Sequence, residues 1–236
     1  MKTYKNNLSI KICATLFCLL LAWTGTTAQN YNWGGIDRYA KANQELPPPA
    51  KGEKRVVFMG NSITEGWVNH HPDFFKENHY VGRGISGHTS YQFLLRFRQD
   101  VVNLKPALVV INAGTNDVAE NAGPYNEDYT LGNIISMVEL AQANDIKVIL
   151  TSVLPAARFG WRPDIKDAAE KIASLNQRIR QYAKEHKIPY VDYYKEMVSG
   201  EDRALNPAYT NDGVHPTGEG YVVMERLIKK AIDKAL

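Results

Sequence analysis

The sequence predicts an α/β fold, a three-layer α/β/α sandwich with a central parallel sheet. Two observations carry that expectation. The β-rich runs RVVFM at 55–59, LVVI at 108–111 and KVILT at 147–151 are apolar throughout rather than alternating, as strands covered on both faces are. Helical patterns at 91–102, 130–143, 167–186 and 218–236 alternate with such runs, and helical crossovers make the strand pairing parallel.

In chain order, residues 1–28 read as a signal peptide. Lys2, Lys5 and Lys11 lead into an apolar run from Ile12 to Trp23, and then into Thr24-Gly25-Thr26-Thr27-Ala28. Such a run suits a signal-peptide core and falls short of the ~20 residues that span a bilayer. Thr26 and Ala28 put small residues at the −3 and −1 positions of a cut before Gln29. The expectation is an exported protein, periplasmic or extracellular, without a stable membrane anchor; Phe17 is too bulky for the usual setting of a lipid on Cys18. Cys13 and Cys18 both lie in this segment. The chain after the cut therefore has no disulfide, thiolate nucleophile or cysteine metal site.

Residues 29–54 form an N-terminal segment, helical over 31–44 and stiffened by Pro47-Pro48-Pro49. Residues 55–236 form one doubly wound domain. Its first strand ends at Gly60, the run at 108–111 stops before Gly114, 190–193 is a weaker fourth, and Tyr80-Val81 starts a fifth. With 44% hydrophobic and 22% charged residues, the composition is that of a folded chain rather than a disordered one. The net charge of +3 resides in the three leader lysines, which have no acid beside them, so the remainder carries 3 − 3 = 0. No basic block is left to follow a phosphate backbone, which excludes nucleic acid as the expected partner.

Functional groups in such a sheet collect beyond the carboxyl ends of the strands. The first strand is followed by Gly60-Asn61-Ser62-Ile63-Thr64-Glu65-Gly66. Ser62 is a candidate nucleophile there, although Ser62 or Thr64 acting as a helix cap explains the same pattern. The G-x-S-x-G elbow is not present, because Thr64 stands where its second glycine belongs. Near the other end, Asn211-Asp212-Gly213-Val214-His215-Pro216 sets a carboxylate and an imidazole around one turn. A serine needs a base, and the base needs an acceptor on its other ring nitrogen. An Asx turn at Asp212 with a surface histidine is the structural alternative. The glycine-rich stretch Val81-Gly82-Arg83-Gly84-Ile85-Ser86-Gly87-His88-Thr89 and the loop Gly114-Thr115-Asn116-Asp117 offer donors for an oxyanion, or simply turns. His70, His71, His79 and His88 match no zinc spacing, so neither a metal nor a cofactor is expected.

These four blocks, in this order, resemble the SGNH (GDSL-like) hydrolase superfamily. VVFMGNSITEGW carries Ser62 as the nucleophile, GRGISGHTS carries Gly87, VVINAGTND carries Asn116, and NDGVHPTGEGY carries Asp212 and His215. The resemblance runs from about Arg55 to the C-terminus. It implies a flavodoxin-like sheet and a Ser62-His215-Asp212 triad. The oxyanion hole would comprise the Ser62 and Gly87 N–H groups and the Asn116 amide, and the reaction would pass through an acyl-enzyme. Two departures are a Gly-Asn-Ser first block where Gly-Asp-Ser is common, and His88 after the oxyanion glycine, which reads as a solvent-facing loop histidine.

The resemblance implies a serine esterase on small-molecule or glycan esters, with lysophospholipids, aryl esters and thioesters in the same range. Export argues against intracellular acyl-CoA. Trp67, His88, Phe159 and Trp161, with Arg158 and Arg162, form a candidate substrate rim, since aromatic faces suit sugar rings; packing of Trp67, Phe159 and Trp161 over the core edge explains the same residues. Short-chain acyl esters, O-acetyl groups on carbohydrates above all, are thus the expected substrates. A lysophospholipase or lipase-type acylhydrolase, or a non-catalytic glycan- or lipid-binding protein, stands as the alternative. Oligomeric state is not legible.

Overall fold

In the computed structural model, which describes residues 32–236, five strands form one parallel sheet. They are β1 (Val56–Gly60), β2 (Tyr80–Gly84), β3 (Leu108–Ile111), β4 (Lys147–Thr151) and β5 (Tyr190–Val191), arranged β2-β1-β3-β4-β5. Val56 of β1 stands opposite Tyr80 on one side and Leu108 on the other.

Successive side chains of each strand enter different cores. Val57, Met59, Val109, Ile111, Val148 and Leu150 pack with Phe93, Phe97, Met137 and Ile172, from the helices Ser90–Asp100, Glu127–Gln142 and Ala168–Glu185. Val56, Phe58, Leu108, Val110 and Ile149 pack with Ile63, Trp67, Phe75 and Ile228, from the helices Ser62–His70, Pro72–Glu77 and Gly218–Ala235. Helices therefore cover both faces, which is why the strand runs lack polar alternation. The sheet and layers are those the sequence predicts.

Several boundaries differ. The expected helix over 31–44 shrinks to Ala40–Glu45, because the chain turns at Gly35, whose φ is +62°. The strand expected over 190–193 stops at Val191, where Asp192 accepts a bond from the Lys195 N–H at 3.1 Å and starts the helix Tyr193–Met197. A small antiparallel pair, β6 (Val198–Ser199) and β7 (Ala204–Leu205), follows it. The expected signal peptide, its cleavage site and both cysteines lie outside the described residues. Among the described residues, no helix is long and apolar enough to cross a membrane.

The edge strand β2 is strapped by the N-terminal segment. Tyr39 Oη donates to the Gly84 carbonyl, Arg83 Nε donates to Asn43 Oδ1 at 2.9 Å, and Arg83 Nη1 donates to the Gly82 carbonyl at 2.8 Å. From β1 the chain winds outward to β2 and then back across to β3, so the winding direction reverses between β1 and β3. That reversal opens a crevice at their carboxyl ends, the place where ligands bind in open α/β sheets.

Candidate active site

The turn at the end of β1 is tight: a Cβ on Gly60 would stand 2.0 Å from Thr64 Oγ1. Asn61, rather than Ser62 or Thr64, caps the helix that follows, its Oδ1 accepting the Ile63 N–H at 3.0 Å. Ser62 thereby keeps its hydroxyl for another partner, and Ser62 Oγ lies 2.9 Å from His215 Nε2. The strand end beneath is fixed by Arg96, fully buried, which donates to the Gly60 carbonyl at 2.9 Å and pairs with Asp100 at 2.8 Å.

The imidazole comes from a loop that organises itself. His215 Nδ1 lies 2.7 Å from Asp212 Oδ2. The other carboxylate oxygen, Oδ1, accepts the Val214 N–H at 2.9 Å and the His215 N–H at 2.8 Å. Partial burial works to raise the Asp212 pKa, but the bonds from His215 and Val214 outweigh it and bring it down to about 2. Asp212 is thus an anion at neutral pH, suited to hold a proton on His215 Nδ1. That leaves Nε2 to accept from Ser62.

The third wall is the segment Ile85–Thr89 with the short helix Thr115–Val118. Gly87 takes a φ of +78°, the left-handed region that favours glycine. Glu65, on the same helix as Ser62, accepts from the Ser86 N–H at 2.9 Å and its hydroxyl at 2.6 Å. Asp117 accepts the Ser90 N–H at 3.0 Å from the other side. Asn116, buried between, donates from Nδ2 to the His88 carbonyl at 3.0 Å. The second Nδ2 hydrogen has no acceptor among the described residues.

The rim departs from expectation. Trp67 is only 2% exposed and lies among Phe58, Phe74, Phe75 and Tyr221, with its indole donating to Glu225 at 3.0 Å. Five residues along a helix turn the side chain by roughly 140° net, so it points away from Ser62. Phe159 is also buried, beneath Trp161. Trp161 is 44% exposed, with its ring centroid 6.3 Å from that of His215. His88 is buried rather than facing solvent. The N-terminal segment covers it so closely that a Cβ on Gly35 would meet His88 Cε1 at 2.4 Å. Burial first, and then the Arg96 guanidinium, press its pKa down to about 4. Arg162 is occupied by Glu120 and Asp164, whereas Arg158 is exposed on a cleft of about 400 Å³ that also contacts Asp212.

Sequence reasoning missed Glu65, Arg96 and Asn121, each of which has a partner remote in sequence: Ser86, Gly60 and Gly87. Among the described residues, no three His, Cys, Asp or Glu side chains gather as a metal set.

A family model described as the GDSL-like lipase/acylhydrolase family matches residues 58–223. Among solved structures, the chain is similar to a GDSL-like lipase from Bacteroides thetaiotaomicron VPI-5482. The two share 73% identity and a TM-score of 0.85, over 86% of this chain and 99% of that one. Sequence similarity extends to an acetylxylan esterase from Xylanibacter ruminicola, at 23% identity over 80% of this chain. The match spans only 45% of that esterase's length. Esterase TesA from Pseudomonas aeruginosa is 27% identical, over 70% of this chain and 77% of that protein.

Proposed function

Because the chain belongs to the GDSL-like lipase/acylhydrolase family of ester-hydrolysing enzymes, we propose that it is a serine esterase with Ser62 as nucleophile, His215 as base and Asp212 as its orienting acid. The observation that carries this reading is the continuous chain Ser62 Oγ, His215 Nε2, His215 Nδ1 and Asp212 Oδ2, with contacts of 2.9 Å and 2.7 Å, at the sheet's crossover point.

His215 Nε2 takes the Ser62 proton as Oγ attacks the ester carbonyl carbon. The carbonyl electron pair moves onto oxygen, which the Ser62 and Gly87 N–H groups and the free Asn116 Nδ2 hydrogen stabilise. Collapse of the tetrahedral species breaks the bond to the alcohol oxygen, and His215 returns the proton to it. Water then attacks the acyl-enzyme, His215 takes its proton, and the carboxylic acid leaves with Ser62 restored. Asp212 remains an anion throughout.

The substrate reading is a short-chain acyl ester, an O-acetyl group on a carbohydrate, met outside the cytoplasm after residues 1–28 are cleaved. Trp161 supports it, since an exposed indole beside the base suits the face of a sugar ring. The similarity to an acetylxylan esterase points the same way.

Hydrolysis of 4-nitrophenyl acetate, butyrate and decanoate, and acetate release from acetylated xylo-oligosaccharides, test both levels. Ser62→Ala is expected to lower kcat by about 10⁴-fold or more on every substrate. Acetate is expected to be the best acyl group. A preference for decanoate would replace the carbohydrate reading with a long-chain acylhydrolase, and turnover indifferent to Ser62→Ala would overturn the esterase mechanism itself.

A further inference from the structure

An oxyanion donor works only if it is aimed before the charge develops, and here the aiming falls to a residue outside the four sequence blocks. After the helix Thr115–Val118 the chain reverses through Glu120, whose φ of +55° is a left-handed conformation that side-chain-bearing residues rarely adopt. The reversal returns the Asn121 N–H to the Asn116 carbonyl at 3.0 Å. It also brings the two side chains together. Asn121 Nδ2 donates to Asn116 Oδ1 at 3.1 Å and to the Gly87 carbonyl at 3.3 Å.

We propose that Asn121 is the positioning residue of the oxyanion cradle, tying the Asn116 amide and the Gly87 peptide into one unit. Its two amide hydrogens match its two acceptors, one from each oxyanion loop. With Oδ1 held by Asn121 and one Nδ2 hydrogen held by the His88 carbonyl, the Asn116 amide plane is fixed. Its remaining hydrogen then has one direction. Without Asn121, Oδ1 loses its donor and the amide can swing about its terminal torsion.

Asn121 is itself held by the loop that follows β4. Trp161 Nε1 donates to Asn121 Oδ1 at 3.0 Å. The next residue, Arg162, grips the strained turn from the same side, donating to the Ala119 carbonyl at 2.8 Å, the Glu120 carbonyl at 3.1 Å and the Glu120 carboxylate at 3.0 Å. A surface asparagine that merely closed a turn would need none of these bonds. The side chain that faces His215 thus also fixes the residue that aims the oxyanion donors.

This inference rests on the serine esterase reading, and the two fail differently. Wild type lacking Ser62-dependent turnover sinks the esterase reading. Active wild type with indifferent Asn121 variants sinks only the present one. Asn121→Ala and Asn121→Asp are compared with wild type on 4-nitrophenyl acetate and by inhibition with phenylboronic acid, which becomes tetrahedral on a serine oxygen. Asn121→Ala is expected to lower kcat about 10- to 100-fold, less than loss of a donor itself, with KM unchanged within about twofold. Boronate affinity is expected to fall in parallel, while the pH profile keeps its shape because the Ser62-His215-Asp212 chain is untouched. Asn121→Asp, which keeps an acceptor for Trp161 but presents no donors to Asn116 and Gly87, is expected to be no better than alanine. Trp161→Phe keeps the ring, deletes the indole donor and is expected to show the same kcat-only loss, about threefold to tenfold. That arm decides the matter if Asn121→Ala does not fold. Variants with kcat within about twofold of wild type, or losses confined to KM, would overturn the proposal.

Discussion

The loop proposed to move protons and the cradle proposed to hold the oxyanion meet at one point but are built in different ways. The loop is short and exposed: the Asp212 and His215 side chains are 53% and 39% accessible, and the hydrogen bonds that shape it come from residues 210–215. The cradle is anchored in the interior, with Asn116 at 3% and Ser90 at 0% exposed, although Gly87 itself lies open at its mouth. Its clamps arrive from Glu65, Asn121 and Asp117, across 21, 34 and 27 positions. A base must exchange protons with substrate and water, so local orientation suffices. A cradle acts by fixed dipoles, which are strongest where water is excluded and nothing has to move when charge develops. Exposure suits the first part, and long-range clamping suits the second.

The sharpest test of this contrast is Asp212→Asn. The asparagine Oδ1 can still accept the Val214 and His215 N–H groups, so the loop keeps its shape. The amide nitrogen beside His215 Nδ1 imposes the tautomer that carries its proton on Nε2, where it cannot accept from Ser62. A loss of about 10⁴-fold in kcat is expected, with a melting temperature close to wild type. A large fall in melting temperature would mean that the loop is not self-sufficient.

Asn116→Ala probes the other side. It is expected to lower kcat about 100- to 1000-fold and, unlike the loop variant, to lower stability by about 1–3 kcal/mol. The stability loss follows because the His88 carbonyl and the Asn121 amide lose a partner. Denaturant unfolding followed beside kinetics separates the two effects, and a variant as stable as wild type would break the comparison.

An effect confined to stability comes from beneath the cradle. His88 has a pKa of about 4, held there by burial and then by Arg96, against 6.5 when free. Between those values the unfolded chain binds a proton that the folded chain refuses. The stability present above pH 6.5 is therefore lost as pH falls toward 4, and levels off below it. Roughly 3 kcal/mol is at stake for a shift of this size. His88→Gln is expected to flatten this part of the stability–pH curve, as urea titrations across that range would reveal. An unchanged slope would mean that His88 is open to water.

The contrast also separates what was legible in the sequence from what was not. The sheet was legible, because strands buried on both faces leave unbroken apolar runs. Asp212 and His215 were legible as a pair, since the turn holding them spans three residues and closes on itself. That Ser62 meets them across 153 positions is a product of the winding, which spacing does not encode. The structure divides the aromatic residues between core and rim, for a geometric reason that spacing does not show. Trp67 is near Ser62 in sequence but on another face of the helix, whereas Trp161 projects outward two positions after the buried Phe159. His88 was misplaced because its cover, at Gly35, belongs to a distant segment. Asn121 left no signal, since a polar residue after a glycine-bearing loop is ordinary unless its partners are known.

The strap over β2 has a consequence for encounters between molecules. A sheet edge is a template, its bare carbonyls and amides open to any extended chain. Here the Gly82 and Gly84 carbonyls are taken by Arg83 and Tyr39, and at the far edge β5 is two residues long. Among the described residues, a neighbouring strand would therefore find these two acceptors of β2 already engaged and only a short row at β5.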